Sequence, residues 1–234
     1  MASTTETGFG ARLRRARDLM IHLNSLTVYN PPRPQESISA LSALIAQLEQ
    51  LNEASAIQSE QYLMAADLRQ QEFRTDPLAV LKLLSPVYGT VVSQFGKSSK
   101  EAEITMDIIK KLRGTKLTKA PADPTAPKGN SQSESSYGSM TKLFSDLVST
   151  LSQFSNYDPS NASLKVAALQ QKAADLTLLS DDITAKAGSL RATRKQRLTH
   201  YEDLSERAQR IKAYLKAEYG VKSDEYAAVK GLNL

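Results

Sequence analysis

Cysteine and tryptophan are both missing from these 234 residues. Without cysteine there is no disulfide framework, no thiolate metal site and no cysteine nucleophile, which fits a reducing compartment. Aromatic residues make up only 6%. Histidine is nearly absent too: His22 and His200 stand alone, with no carboxylates at metal-ligand spacing around either, so no metal is expected. Nowhere do about 18 apolar residues follow one another without a charge, so no membrane span is expected. The small, polar run Met1 to Gly10 leads toward Arg12 and Asp18 and gives no signal peptide, which makes the cytoplasm the expected location. No Gly-x-Ser-x-Gly elbow occurs. Gly96-Lys97-Ser98 ends like a phosphate-binding loop, but that loop needs a glycine where Val91 stands, so no nucleotide or other cofactor is expected. Asp181-Asp182 and Glu101-Ala102-Glu103 read as helix-surface charges, and a catalytic role has no support.

What is present is a mixed-charge, apolar-striped composition. Charged residues make up 24% and apolar residues 41%, the profile of an all-α protein. The excess of 30 basic over 25 acidic residues is modest. From Phe9 to Val28, the positions Leu13, Ala16, Leu19 or Met20, Leu23 and Leu26 recur every three or four residues and predict a first helix. Asn30-Pro31-Pro32-Arg33-Pro34 ends it. From Gln35 to Phe73 there is no proline or glycine. A heptad reading puts Ile38, Ile45, Asn52, Ser59, Ala66 and Phe73 on one seam line and Leu41, Leu48, Ser55, Tyr62 and Arg69 on the other. Asp76-Pro77 predicts the start of a third helix, Pro77 to Phe95, kinked at Pro86 and able to fold back on the second, with Gly96 as a left-handed cap. A fourth helix, capped near Ser98 or Ser99, runs through Ile104, Ile108 and Leu112 to Gly114.

Shifted by 128 positions, the chain matches itself. Ile38, Leu41, Ile45, Leu48 and Leu51 fall on Val166, Leu169, Ala173, Leu176 and Leu179. Tyr29-Asn30-Pro31 falls on Tyr157-Asp158-Pro159, Arg69 on Arg197 and Phe73 on Tyr201. After a four-residue shortening, Phe95-Gly96 matches Tyr219-Gly220, and Ser99 and Glu101 match Ser223 and Glu225. This predicts two tandem, related helical-bundle units with long antiparallel helices, elongated overall: 1–113 and 140–234, joined by a Pro/Ser/Gly-rich linker at 114–139.

The repeated landmarks have structural readings. Tyr29 and Tyr157 should cover a bundle end with their hydroxyls wet. Arg69 and Arg197 fall on the seam, where each guanidinium should reach a carboxylate or helix-terminal carbonyls with its stem on Phe73 or Tyr201. Two basic clusters remain, Arg12, Arg14, Arg15 and Arg17 at the first helix and Arg191, Arg194, Lys195 and Arg197 in the second half's long helix, a candidate phosphate-contacting face.

The chain resembles a group of uncharacterised bacterial tandem-repeat all-helical proteins. The resemblance rests on Tyr29 to Pro31, Tyr157 to Pro159, Arg69 with Phe73, Arg197 with Tyr201, and the run Tyr219-Gly220-Val221-Lys222-Ser223-Asp224-Glu225-Tyr226 with Val229 and Gly231. It implies a helical fold and no established activity. The leading expectation is a structural protein that self-associates, as homo-oligomer or filament, or that docks another helical protein. The alternative is a nucleic-acid or anionic-surface module using the basic clusters. An enzyme with a site between the halves ranks last.

Overall fold

The computed structural model describes residues 8–114 and 136–234. Among the described residues there is no strand, and the α-helices are α1 (Phe9–Ser25), α2 (Ile38–Gln70), α3 (Val80–Phe95), α4 (Lys100–Arg113), α5 (Tyr137–Ser152), α6 (Val166–Tyr219) and α7 (Asp224–Lys230). The fold is all-α. Short 3-10 turns at Pro34–Glu36 and Ala162–Leu164 lead into α2 and α6.

The chain forms two compact units: Met1–Gln61 with Ala187–Leu234 is unit 1, and Tyr62–Lys186 is unit 2. These are not the sequence halves 1–113 and 140–234. The reason is the length of two helices: α2 and α6 each run through a unit boundary, so each half of the sequence contributes to both units. The expected linker at 114–139 falls mostly outside the described residues, and its last positions belong to α5, which starts at Tyr137.

In unit 1 the α1 stripe Leu13, Ala16, Leu19 and Leu23 packs with Leu41, Leu44, Ile45 and Leu48 of α2. The same core takes in Tyr201, Leu204, Ala208, Ile211 and Leu215 of α6 and Val229 of α7. Full burial of one such leucine contributes about 1.5–3 kcal/mol. Unit 2 buries Phe73, Val80, Leu83, Leu84, Val87 and Val91 against Ile109 and Leu112 of α4. Phe144, Leu147 and Leu151 of α5 and Leu169, Ala173 and Leu176 of α6 complete that core. Leu48 and Leu176 are both buried. So are Leu13, Ala16, Leu19 and Leu23, and so are their partners 128 positions on, Thr141, Phe144, Leu147 and Leu151.

Four details differ from the sequence expectation. α3 begins at Val80, not Pro77, and Asp76 Oδ1 accepts from the Leu78 amide at 2.8 Å in a side-chain turn that precedes the helix. Ahead of that turn, Gln71–Thr75 widens into a single π-helical turn that carries Phe73 inward. α3 is expected to fold back on the half of α2 that α1 leaves uncovered; its apolar face is instead taken by α4, α5 and the start of α6. In the second half no turn occurs near Asp203 to Ser205, because nothing there breaks the hydrogen-bond ladder and α6 continues for 54 residues. α4 buries Ala102, Thr105, Ile109 and Leu112 and leaves Ile104 exposed, so its inward face is rotated one position from the expected one.

Helix ends follow the capping expectation. Ser99 and Ser223 accept from the amides of Ala102 and Tyr226, both at 3.1 Å. Gly96 and Gly220 close the preceding helices at φ 95° and 94°, backbone that a Cβ strains. Gly96→Ala and Gly220→Ala are each expected to lose about 1–3 kcal/mol in urea denaturation, whereas Gly188→Ala, inside α6 with nothing within 4 Å of the added Cβ, should gain roughly 0.5–1 kcal/mol. One stretch bears on the membrane expectation: within Ile38–Phe95 an 18-residue window reaches a mean hydropathy of 1.3 with 33% of it buried, apolar enough to be a candidate span by length and composition.

Candidate functional site

The residues singled out by the sequence converge on the places where the two sequence halves meet inside each unit. In unit 1, Arg197 and Tyr201 lie four apart on one face of α6, which points both at the start of α1. Tyr201 is fully buried, its ring 4.7 Å from that of Phe9. Its hydroxyl donates to the Phe9 carbonyl at 3.0 Å and accepts from Asn52 Nδ2 at 2.8 Å. Arg12 Nη2 donates to the Tyr201 carbonyl and to Ser205 Oγ, both at 2.7 Å. The Arg197 guanidinium carbon lies 4.3 Å from the Phe9 ring centroid.

Unit 2 has an apolar version. Phe73 packs edge-on to Tyr137 at 5.1 Å, and the Arg69 guanidinium carbon lies 4.2 Å from the Tyr137 centroid. The expected carboxylate or carbonyl partners of Arg69 and Arg197 are therefore replaced by ring faces, whose negative quadrupole attracts a cation. Both Nε atoms are buried with no hydrogen-bond partner among the described residues. Across the same interface Lys172 Nζ meets Glu72 Oε2 at 2.8 Å.

Tyr29 and Tyr157 do not keep their hydroxyls wet. Each ring folds over its turn and donates to a carbonyl seven residues on, Tyr29 to Glu36 at 2.7 Å and Tyr157 to Leu164 at 3.0 Å. Burial pushes the Tyr157 hydroxyl up from 10.0 to about 12. Tyr29 also rises, first through burial and then through the neighbouring Glu36 and Tyr214. The native state holds these protons more tightly than the unfolded chain. Their contribution to stability is therefore complete below pH 10 and is lost as pH climbs from 10 towards 12. Urea denaturation across that window should show the decline, and Tyr157→Phe should flatten it.

The Glu36 position distinguishes the units. Glu36 is 3% exposed and takes Arg210 Nε at 2.6 Å, while position 164 of unit 2 holds a buried leucine that packs with α3. At the tip of unit 1, His22, Ser25, Thr27, Tyr219, Asp224 and Glu225 line a hollow of about 370 Å³. Phe95 and Phe154, which align with Tyr219 and Leu26, pack on each other at 5.6 Å in unit 2. Among the described residues no cluster of His, Cys, Asp or Glu could hold a metal ion.

The two basic clusters separate. Arg12 is spent on Tyr201 and Ser205, Arg17 pairs with Glu49 at 2.6 Å, and Arg15 donates to the Asn233 carbonyl at 3.0 Å, leaving Arg14 exposed. Arg197 is taken up by Phe9. Arg191, Arg194 and Lys195 stay exposed on α6, with no ion-pair partner among the described residues, beside an exposed Leu198. No known protein family, curated protein or solved structure matches this chain. The site is therefore read from its geometry alone. Sequence reasoning missed the roles of Phe9, Asn52, Glu36 and Arg210. Asn52 carried a usable signal, a lone amide among leucines on a seam, of the kind that fixes register.

Proposed function

We propose that this chain is a structural subunit, descended from an internal duplication, that self-associates through the faces of its long helices and has no catalytic activity. The observation that carries the reading is the apolar pair left outside the core on the unit 2 part of α2: Met64 and Leu68 stand four apart, 66% and 45% exposed. That spacing is one helical stripe of the kind that seats a neighbouring helix. Like burial at positions 128 apart supports the duplication, and the absence of cysteine fits a cytoplasmic setting. Light scattering across a concentration series tests the proposal, followed by negative-stain microscopy. Oligomers or filaments should form and should disperse in Met64→Glu/Leu68→Glu. A strictly monomeric protein at high concentration defeats it.

A second reading draws on Arg191, Arg194 and Lys195, three unpaired cations within about one turn of α6. Such a face fits phosphates of nucleic acid or of an anionic lipid surface. Its mark is salt-sensitive binding to DNA, RNA or anionic vesicles that Arg191→Glu/Arg194→Glu abolishes, and no binding at low salt removes it.

A further inference from the structure

Neither sequence half owns a compact unit. Residues 1–61 of the first half need 187–234 of the second to complete unit 1, and residues 62–113 need 137–186 to complete unit 2. The contacts that hold the halves together recur in both units and are not covalent. In unit 1 they include Tyr201 with Phe9 and Asn52, Arg210 with Glu36, and Arg207 Nη1 donating to the Gln35 carbonyl at 2.9 Å. In unit 2 they include Phe73 with Tyr137, Phe95 with Phe154, Lys172 with Glu72, and Gln94 Nε2 donating to the Asp158 carbonyl at 2.9 Å.

We infer that two copies of this chain associate by exchanging halves, the first half of one copy completing both units with the second half of the other. Every contact above is then remade between chains, so the exchanged form loses none of the native packing, and the partner it fits is a second copy of this chain. The inference goes beyond the self-association reading: exchange uses the contacts between the sequence halves and not the exposed Met64 and Leu68 of α2, so either mode can fail without the other. The covalent connection between α4 and α5 determines which form wins. Closure within one chain benefits from a high effective concentration and dominates in dilute solution, while the exchanged dimer gains by mass action as concentration rises. Because α2 and α6 both run through the two units, a half cannot leave one unit without disrupting the other. Exchange therefore takes place during folding, and the form reached is retained afterwards.

The test uses the full chain, whose lack of cysteine makes introduced thiols unique. Gln94→Cys/Asp158→Cys places one thiol in each half at an exposed contact, and Gln35→Cys/Arg207→Cys does the same in unit 1 should the first pair fold poorly. Each protein is unfolded in guanidinium, refolded over a range of concentrations, fractionated by size and treated with a short bismaleimide. The dimer fraction should give covalent chain pairs at twice the single-chain mass on a denaturing gel. The dimer-to-monomer ratio should rise about tenfold for each tenfold rise in refolding concentration while dimer is the minor species. A dimer fraction that yields only internally linked single chains overturns the exchange and leaves face-to-face self-association standing. Refolding to a single-chain species alone at millimolar concentration overturns the exchange too, and native light scattering then decides separately whether self-association survives.

Discussion

Tyr201→Ala is expected to lower stability by about 3–5 kcal/mol, the cost of emptying a fully buried aromatic site. The ring contributes packing against Phe9, the hydroxyl holds the Phe9 carbonyl and the Asn52 amide, and the helix beneath it carries the carbonyl that receives Arg12. Tyr201→Phe separates these parts. It keeps the ring and leaves two polar groups without their partner, at about 1–3 kcal/mol. Asn52→Ala combined with Tyr201→Phe should cost less than the two changes summed, because the second has already removed the first one's hydrogen bond. Phe73→Ala in unit 2 should match Tyr201→Ala in size, since Phe73 is buried just as completely. Urea titrations followed by circular dichroism measure all five variants, the Asn52→Ala single included. A loss below about 1 kcal/mol for Tyr201→Ala would mean that the ring is not the anchor described.

Periodicity made the helices legible, because an apolar side chain every three or four residues can only be buried together on a helix. Leu13, Ala16, Leu19 and Leu23 came inward as a set, and no residue on either expected α2 seam line is exposed. What periodicity does not encode is the partner. A stripe records that a face is covered and is silent on which segment covers it, so the end of α2 with α3 looked like cover for its own half. It is instead buried with α5 and the first part of α6. The Arg69 and Arg197 positions show the same limit at the level of one side chain. Their place on the seam was readable, but the ring that accepts each cation lies in the other half of the sequence, at Tyr137 and Phe9.

The paired substitutions between units argue that the interfaces between halves are matched sets. Where unit 1 has Arg12, Asn52 and the Tyr201 hydroxyl in one polar network, the aligned positions of unit 2 are Met140, Ser180 and Phe73. Where unit 1 has Glu36 paired with Arg210, unit 2 has Leu164, with Pro86 at the position aligned with Arg210. An ionised group buried without its partner is costly, so neither member of such a pair can change alone without penalty. Matching of this kind makes each half selective for its complement, which is what assembly from exchanged halves requires.

Ser205→Pro is expected to be the most damaging change on α6, at about 3 kcal/mol for the helix break alone. Position 205 aligns with Pro77, which the first half tolerates because the chain there has already left the helix through the π-helical turn and the Asp76 side-chain turn. α6 has no such relief: the amide of residue 205 faces the Tyr201 carbonyl one helical turn back, the same carbonyl that takes Arg12. Proline would remove that bond and push its ring into the carbonyl. It would also delete the hydroxyl that accepts from Arg12 and donates to the Leu234 carbonyl, at about 1 kcal/mol for each bond. The reciprocal Pro77→Ser should change stability by less than about 1 kcal/mol, acting mainly through the unfolded chain. Thermal melts of the two variants side by side check the contrast. Equal effects at the two positions would mean that the continuity of α6 contributes nothing to unit 1.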